Sequence, residues 1–216
     1  IKCLLITGEG KGFCSGADLS RMASRGSENR RNSVTRGESG ERIQELAPVI
    51  RSIAQPVIAA VNGAAVGAGL SIALASDIRI ASEMARFSAI FIRRGLVPDT
   101  AASATITAIA GHAVAAEMSL TGRIYDAQWA HDHGLVSSVV PAQNLMKEAL
   151  SIAEEISSNP PLAVRNTKQL MRAIMLDWHE VIANEDDAGD PLYNTEDQQE
   201  AVRAFLEKRS PVYKGK

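Results

Sequence analysis

Two stretches of this chain, Gly12-Phe13-Cys14-Ser15-Gly16-Ala17-Asp18-Leu19 and Asn62-Gly63-Ala64-Ala65-Val66-Gly67-Ala68-Gly69, could do chemistry without any ionisable side chain. Small residues leave backbone N–H groups uncovered. Two such groups converging on one point form an oxyanion hole, which stabilises negative charge developing on a carbonyl oxygen. The second stretch runs into an apolar helix through Ser71-Ile72-Ala73-Leu74-Ala75, whose free N–H groups and positive dipole end face whatever lies above Ala68. Small residues here also permit tight packing of helix on sheet, so the pattern alone leaves both readings open.

Each stretch follows an apolar run that reads as a buried strand, Cys3 to Thr7 and Pro56 to Val61, which places two loops at the same edge of one sheet. Ser20 to Arg42 is polar, with few apolar anchors beyond Met22 and Val34, and reads as a mobile segment. Ile43, Leu46, Ile50 and Ile53 recur at helical spacing, and Asp77 to Ala81 reads as a third strand. Strand, helix, strand at these lengths predicts a parallel sheet with crossover helices, an α/β fold. Pro98-Asp99-Thr100 precedes an Ala-rich helix that stops near Gly111, and Leu135 to Pro141 reads as another strand. The organisation is a core over 1–141 followed by a helical region over 142–216. In that region, stripes run through Leu145, Ala149, Ile152 and Ile156, then through Leu170, Met171 and Ile174. Thr195 to Gln198 forms a capping box opening a last helix that buries Val202, Phe205 and Leu206.

Composition narrows the partners. The 216 residues carry a formal charge of −2, from 23 basic and 25 acidic side chains, which provides no field for nucleic acid or an anionic membrane. No apolar stretch reaches the roughly 20 residues of a membrane span, so the reading is a soluble protein. Cys3 and Cys14 form no C-x-x-C and fit a reducing compartment, the cytoplasm or the mitochondrial matrix. The chain opens at Ile1 inside a strand pattern with no Met, as though residues upstream were missing.

Other motifs carry less. Val66-Gly67-Ala68-Gly69 does not complete a dinucleotide fingerprint, because Ile72 stands where its third glycine belongs. His131-Asp132-His133 lacks a nearby third ligand, so no metal is expected. Ser15 and Ser71 have no evident His partner and Gly-x-Ser-x-Gly is absent. Arg30-Arg31 and Arg93-Arg94 read as solvated charge, with phosphate contact as the alternative.

Taken in order, the two glycine-rich stretches, Gly95-Leu96-Val97-Pro98, Leu120-Thr121-Gly122-Arg123, Gly134-Leu135-Val136 and Phe205-Leu206-Glu207-Lys208-Arg209 resemble the crotonase superfamily, the enoyl-CoA hydratase/isomerase family, over nearly the whole length. The resemblance implies a spiral of ββα units with a C-terminal helical trimerisation region. It also implies a homotrimer or dimer of trimers, an acyl-CoA thioester substrate, and no cofactor beyond the coenzyme A of that substrate. Position by position, it puts the oxyanion hole on the N–H groups of Ala17 and Ala68, and lines the substrate groove with Cys14, Ser15, Gly16, Asp18, Leu19 and Gly67. Phe205 and Lys208 fall in the helix that in relatives approaches a neighbouring subunit's CoA.

The hydratase pattern fails where it matters most. Relatives that add water use two glutamates, and the matching positions here are Ser71 and Phe91, which contact substrate by resemblance but offer no acid–base pair. Gly95-Leu96-Val97-Pro98-Asp99 instead resembles the segment in which double-bond isomerases of the family place a single acid. One carboxylate suffices to take a proton beside the thioester and return it two carbons away. Asp99, standing just before a helix, is also a good N-cap. The expectation is therefore an enoyl-CoA isomerase using Ala17, Ala68 and Asp99. The alternatives are a hydratase, a decarboxylase or thioesterase, and a non-catalytic acyl-CoA-binding protein.

Overall fold

The computed structural model describes residues 1–18, 43–172 and 178–214. The expected mobile segment Ser20–Arg42, with Arg30-Arg31, and the candidate Leu19 lie outside the described residues.

The strands come in pairs that divide between two sheets. β1 (Leu4–Thr7), β3 (Val57–Val61), β5 (Ile78–Ser82) and β8 (Ser138–Val140) form one sheet in the order β1-β3-β5-β8, parallel throughout. β2 (Gly12–Cys14), β4 (Ala64–Val66), β6 (Arg86–Ser88) and β7 (Tyr125–Asp126) form the second, in the order β2-β4-β6-β7, with only β7 antiparallel. This corrects the sequence expectation of two loops at the edge of one sheet. The first halves of both glycine-rich stretches are short strands, and they pair with each other in a different sheet from the strands that precede them. Asn62 ties the corner between the sheets: its Oδ1 accepts from Gly8 N–H at 3.0 Å, and its Nδ2 donates to the Gly10 and Gly12 carbonyls at 3.1 and 3.2 Å.

Helices α1 (Leu46–Ser52) and α2 (Ala68–Ala75) follow the first and second strand pairs. A 3-10 turn over Ile90–Arg94 follows the third pair and leads into α3 (Ala102–Thr121). The result is the ββα spiral that the resemblance implies. β3 is apolar and buried along its whole length because it lies central in its sheet with both faces covered. One face packs against α5 (Leu145–Ser158) through Leu145 and Ala149, while Val57 meets Ala47, Ile50 and Ala75 on the side of α1 and α2. The main core, with Leu70, Phe87, Ile106 and Met118, lies between the sheets and α2 and α3.

Gly111 (φ 80°, ψ 163°) does break α3, as expected, but a second helical leg continues to Thr121, and Gly122 in the left-handed region stops it. Leu135 and Val136 are buried core residues ahead of β8 rather than part of it. α4 (Ala127–Asp132) joins β7 to this segment, with His133 stacked on Trp129 at 4.0 Å between ring centres.

The C-terminal region is helical: α5, α6 (Pro161–Arg172), α7 (Trp178–Gly189) and α8 (Glu196–Leu206). Leu170 and Met171 are exposed, contrary to the expected stripe, whose third member Ile174 lies outside the described residues; α6 is held instead by polar anchors. Lys168 is buried against Asp77 and the Gln55 carbonyl, and Arg172 donates to Ile53 O. Thr195 Oγ1 accepts from Gln198 N–H at 3.1 Å, capping α8. No helix among the described residues is long and apolar enough to cross a membrane.

Candidate active site

The strand pair β2–β4 brings the two glycine-rich stretches side by side. Gly69, in the first turn of α2, abuts β2 so closely that a β-carbon there would overlap the Cys14 carbonyl oxygen. Gly16 has φ +85°, and a β-carbon on it would meet the Val66 carbonyl oxygen at 2.9 Å and Ala68 N at 3.5 Å. Glycine is required at both points, at one by contact and at the other by backbone conformation as well. The closeness puts the Ala17 segment against the start of α2. Ala68 is the first residue of α2, so its N–H has no intrahelical acceptor and shares the positive dipole end.

Above these groups opens a cavity of about 600 Å³. Ser15, Gly16, Ala17 and Asp18 line it from the end of β2, and Val66, Gly67 and Ala68 from the start of α2. Gln44, Ile90, Phe91, Arg94, Leu96 and Asp99 line it as well, joined by Tyr193, Phe205 and Leu206 from the C-terminal region. The structure therefore gathers Ala17, Ala68 and Asp99 at one cavity, together with Ser15, Gly16, Asp18, Gly67, Phe91 and Phe205. Cys14, Ser71 and Lys208 do not line it. Cys14 serves β2 by its backbone, and Ser71 is fully buried with its hydroxyl donating to the Asp99 carbonyl at 3.3 Å. Lys208 lines an adjoining groove beside Arg93 and Arg209.

Phe205 and Leu206 are each nearly half exposed, 47% and 46%, rather than buried as the helical stripe predicts. They cover this chain's own cavity. Gln44, Arg94, Tyr193 and Leu206 are wall residues that sequence reasoning did not assign to the site.

Asp99 does not cap α3. Thr100 Oγ1 donates to its Oδ1 at 2.8 Å, leaving Oδ2 available, and the helix begins only at Ala102. The cap comes from Glu185 on α7, whose Oε2 accepts from Ala101 N–H at 2.7 Å and whose Oε1 accepts from Ser103 N–H and Oγ at 3.0 and 2.5 Å. Nothing near Asp99 in the sequence signals Glu185. Desolvation pushes the Asp99 carboxyl up to about 6, with the Thr100 hydroxyl opposing and Asp186 adding to the rise. Burial likewise pushes Glu185 up to about 7, against the pull of its Ser103 and Ala101 donors and with Asp99 adding to the rise. Thr100 and Ala101, both fully buried, hold φ values of 56° and 60°. Left-handed backbone is strained in residues with a β-carbon, most of all in β-branched threonine.

Among the described residues, no three His, Cys, Asp or Glu side chains gather as metal ligands. The chemistry on offer is that of Ala17 and Ala68, with their backbone N–H groups, at one cavity that also holds the carboxyl groups of Asp18 and Asp99.

The enoyl-CoA hydratase/isomerase family model matches residues 1–216. The chain belongs to that family, within the crotonase superfamily. A 1,2-epoxyphenylacetyl-CoA isomerase of Escherichia coli is 35% identical over 220 residues, covering 100% of this chain and 82% of the relative. A short-chain-enoyl-CoA hydratase of Clostridium acetobutylicum is 36% identical over 211 residues, covering 97% and 78%. The crystal structure of an enoyl-CoA hydratase from Mycobacterium avium subsp. paratuberculosis superposes with a TM-score of 0.85 at 32% identity, covering 99% of this chain and 80% of that one. Most of the similar relatives bear hydratase names. The crotonase fold, with its helical C-terminal region, agrees with the sequence expectation.

Proposed function

We propose that this family member isomerises enoyl-CoA thioesters, moving a double bond from the β,γ to the α,β position. The observation that carries this reading is the meeting of Asp99 with Ala17 and Ala68 at one cavity, while the buried Ser71 and Phe91 stand where the resemblance matches the two hydratase glutamates. The thioester oxygen accepts from the N–H groups of Ala17 and Ala68. Asp99 Oδ2 takes a proton from the carbon beside the thioester, and the electrons move onto the carbonyl oxygen to give a dienolate held by those two donors. The same carboxyl group then delivers the proton two carbons farther along, regenerating the carboxylate and a conjugated thioester. A carboxyl pushed up to about 6 is ionised at neutral pH yet is a stronger base than an ordinary aspartate, which suits a proton that must be taken and given back.

Hydration needs a water held between two carboxylates. Ser71 is spent on a backbone carbonyl and Phe91 has no proton to give. The relatives' hydratase names favour water addition as the second reading. A direct comparison separates the two: 3-hexenoyl-CoA should gain the ultraviolet absorbance of a conjugated thioester, while 2-hexenoyl-CoA should lose it only slowly. Hydration turnover of 10²–10³ per second, on the order of an efficient enzyme, with no migration of the double bond, would reverse the assignment.

A further inference from the structure

Among the described residues that line the cavity, Arg94 is the one cation. Its neighbour Arg93 points away and donates to the Thr121 carbonyl at 3.0 Å, as a solvated pair of arginines would. Arg94 instead lies half-buried, with its guanidinium carbon 4.0 Å from the centre of the Phe205 ring on α8. A guanidinium carries five N–H donors. Its recorded donation is from one Nη to the Arg93 carbonyl, at 3.3 Å, and no carboxylate among the described residues pairs with it. By contrast Arg203 and Arg209 both engage Glu200. Burial lowers the Arg94 pKa, with Arg93 adding to the fall and Tyr213 opposing it. This is a cation taken partly out of water without an acid to compensate it, and such groups are normally paired. Stacking on Phe205 fixes its plane and leaves the edge of the fork for a planar, bidentate anion.

We propose that Arg94 is a specificity-determining residue that selects acyl-CoA substrates whose acyl chain ends in a carboxylate. The inference rests on the acyl-CoA reading of the cavity. On the cavity side Arg94 shares the lining with Ile90, Phe91, Leu96, Phe205 and Leu206, apolar surface for the chain of a dicarboxylic acyl group, while Asp18 and Asp99 also line the cavity and Arg94 also borders the groove of Arg93, Lys208 and Arg209. The guanidinium fork matches carboxylate and phosphate alike. A planar carboxylate monoanion costs less to desolvate than the 3′-phosphate dianion or the doubly charged diphosphate of coenzyme A, and this favours the acyl terminus.

The test is calorimetric titration of the full chain with saturated, unreactive thioesters in matched pairs: glutaryl-CoA against pentanoyl-CoA, adipoyl-CoA against hexanoyl-CoA, suberoyl-CoA against octanoyl-CoA. A charge-assisted pair of this kind predicts that at least one diacid thioester binds about tenfold to a hundredfold more tightly than its monoacid partner. Arg94→Met should bring that diacid down to the level of its partner. Arg94→Lys, which keeps the charge but not the fork, should retain only part of the preference. Equal affinities in every pair in the wild type, or a preference that survives in Arg94→Met, would overturn the proposal. A Met variant that loses free CoA as strongly as the diacid thioester would overturn it too, by assigning the guanidinium to a CoA phosphate. Absence of binding by either member of every pair would remove the acyl-CoA reading itself, an outcome distinct from binding without preference.

Discussion

Replacing Asp99 with Asn separates chemistry from architecture and should move activity and stability in opposite directions. The amide still accepts from Thr100 Oγ1, and α3 keeps its Glu185 cap, so the local fold persists. An amide cannot take and return the substrate proton, so isomerisation should fall by a factor of about 10²–10⁴. Stability should rise. Desolvation holds the carboxyl at about 6 in the folded chain, against roughly 3.9 for a free aspartate. Between those values the folded state binds more protons than the unfolded one, so wild-type stability falls as pH rises through the window. Roughly 2 pH units at about 1.4 kcal/mol each amount to about 3 kcal/mol, fully expressed above pH ~7 and absent below pH ~4. For a chain of this size that is about 6–12 °C in Tm. The assay is thermal unfolding of wild type and Asp99→Asn at acidic and mildly alkaline pH, beside isomerase rates on the same preparations. An equal stability difference at both ends of the pH range would refute the desolvation argument, and undiminished isomerisation would refute the role of Asp99.

Other outcomes follow from the same geometry. For wild-type isomerisation, kcat/KM should climb about tenfold per pH unit below the Asp99 pKa of about 6 and flatten above it; a profile flat across that range would exclude Asp99 as the base. Ala17→Pro deletes one carbonyl donor and should cut kcat by about 10²–10³ while Kd for a saturated acyl-CoA changes far less, because the charge develops after binding; stopped-flow and titration data compared side by side decide this. Gly69→Ala drives a β-carbon into the Cys14 carbonyl group and Cys14 Cβ, none of them the far end of a flexible side chain, and should destabilise by about 3 kcal/mol, the upper end of overpacking costs, with loss of activity. An unaltered urea midpoint in Gly69→Ala would show that β2 and α2 can part to admit a methyl group at little cost.

What could be read in the sequence, and what could not, divides by the range of the forces involved. The continuous apolar run Val57 to Val61 announces a buried strand, and Thr195 announces a helix start, because each signal is local. β2 and β4 escape such reading: only three residues each, they are strands because they pair with partners far along the chain, β2 with β4 and β4 with β2 and β6. Phe205 and Leu206 show helical spacing, yet periodicity reports which residues turn inward and not whether a core or a cavity awaits them. The adjacent arginines look alike as a charge run. The 3-10 turn over Ile90–Arg94 sends Arg93 to Thr121 and Arg94 over Phe205. Ala17, Ala68 and Asp99 were legible through a family resemblance rather than through composition, and their meeting at one cavity depends on the spiral.

The division of labour between Asp99 and Glu185 explains how a good capping residue escapes capping. As the N-cap of α3, Asp99 would face uncovered N–H groups and the positive dipole end, and both would lower its pKa and make it a poor base. Glu185 reaches across from α7 and satisfies Ala101 N–H and Ser103 N–H instead. The chain between cap and base must then turn sharply, and Thr100 and Ala101 take left-handed backbone to do so, at a cost of about 1–3 kcal/mol each. The bonds to Glu185 and the complete burial of both residues offset that cost and hold the turn in one conformation. Asp99 is left with a single hydroxyl donor and a desolvated place on the cavity wall, the two conditions under which a lone carboxyl group can shuttle a proton near neutral pH. Glu185→Gln tests the arrangement. One oxygen can still accept, but the amide nitrogen must face a backbone N–H, so the loss of one buried bond should cost about 1–3 kcal/mol of stability. Isomerase activity should fall with it, as the turn that aims Asp99 loosens. A variant as stable and as active as the wild type would mean that the turn holds itself without Glu185.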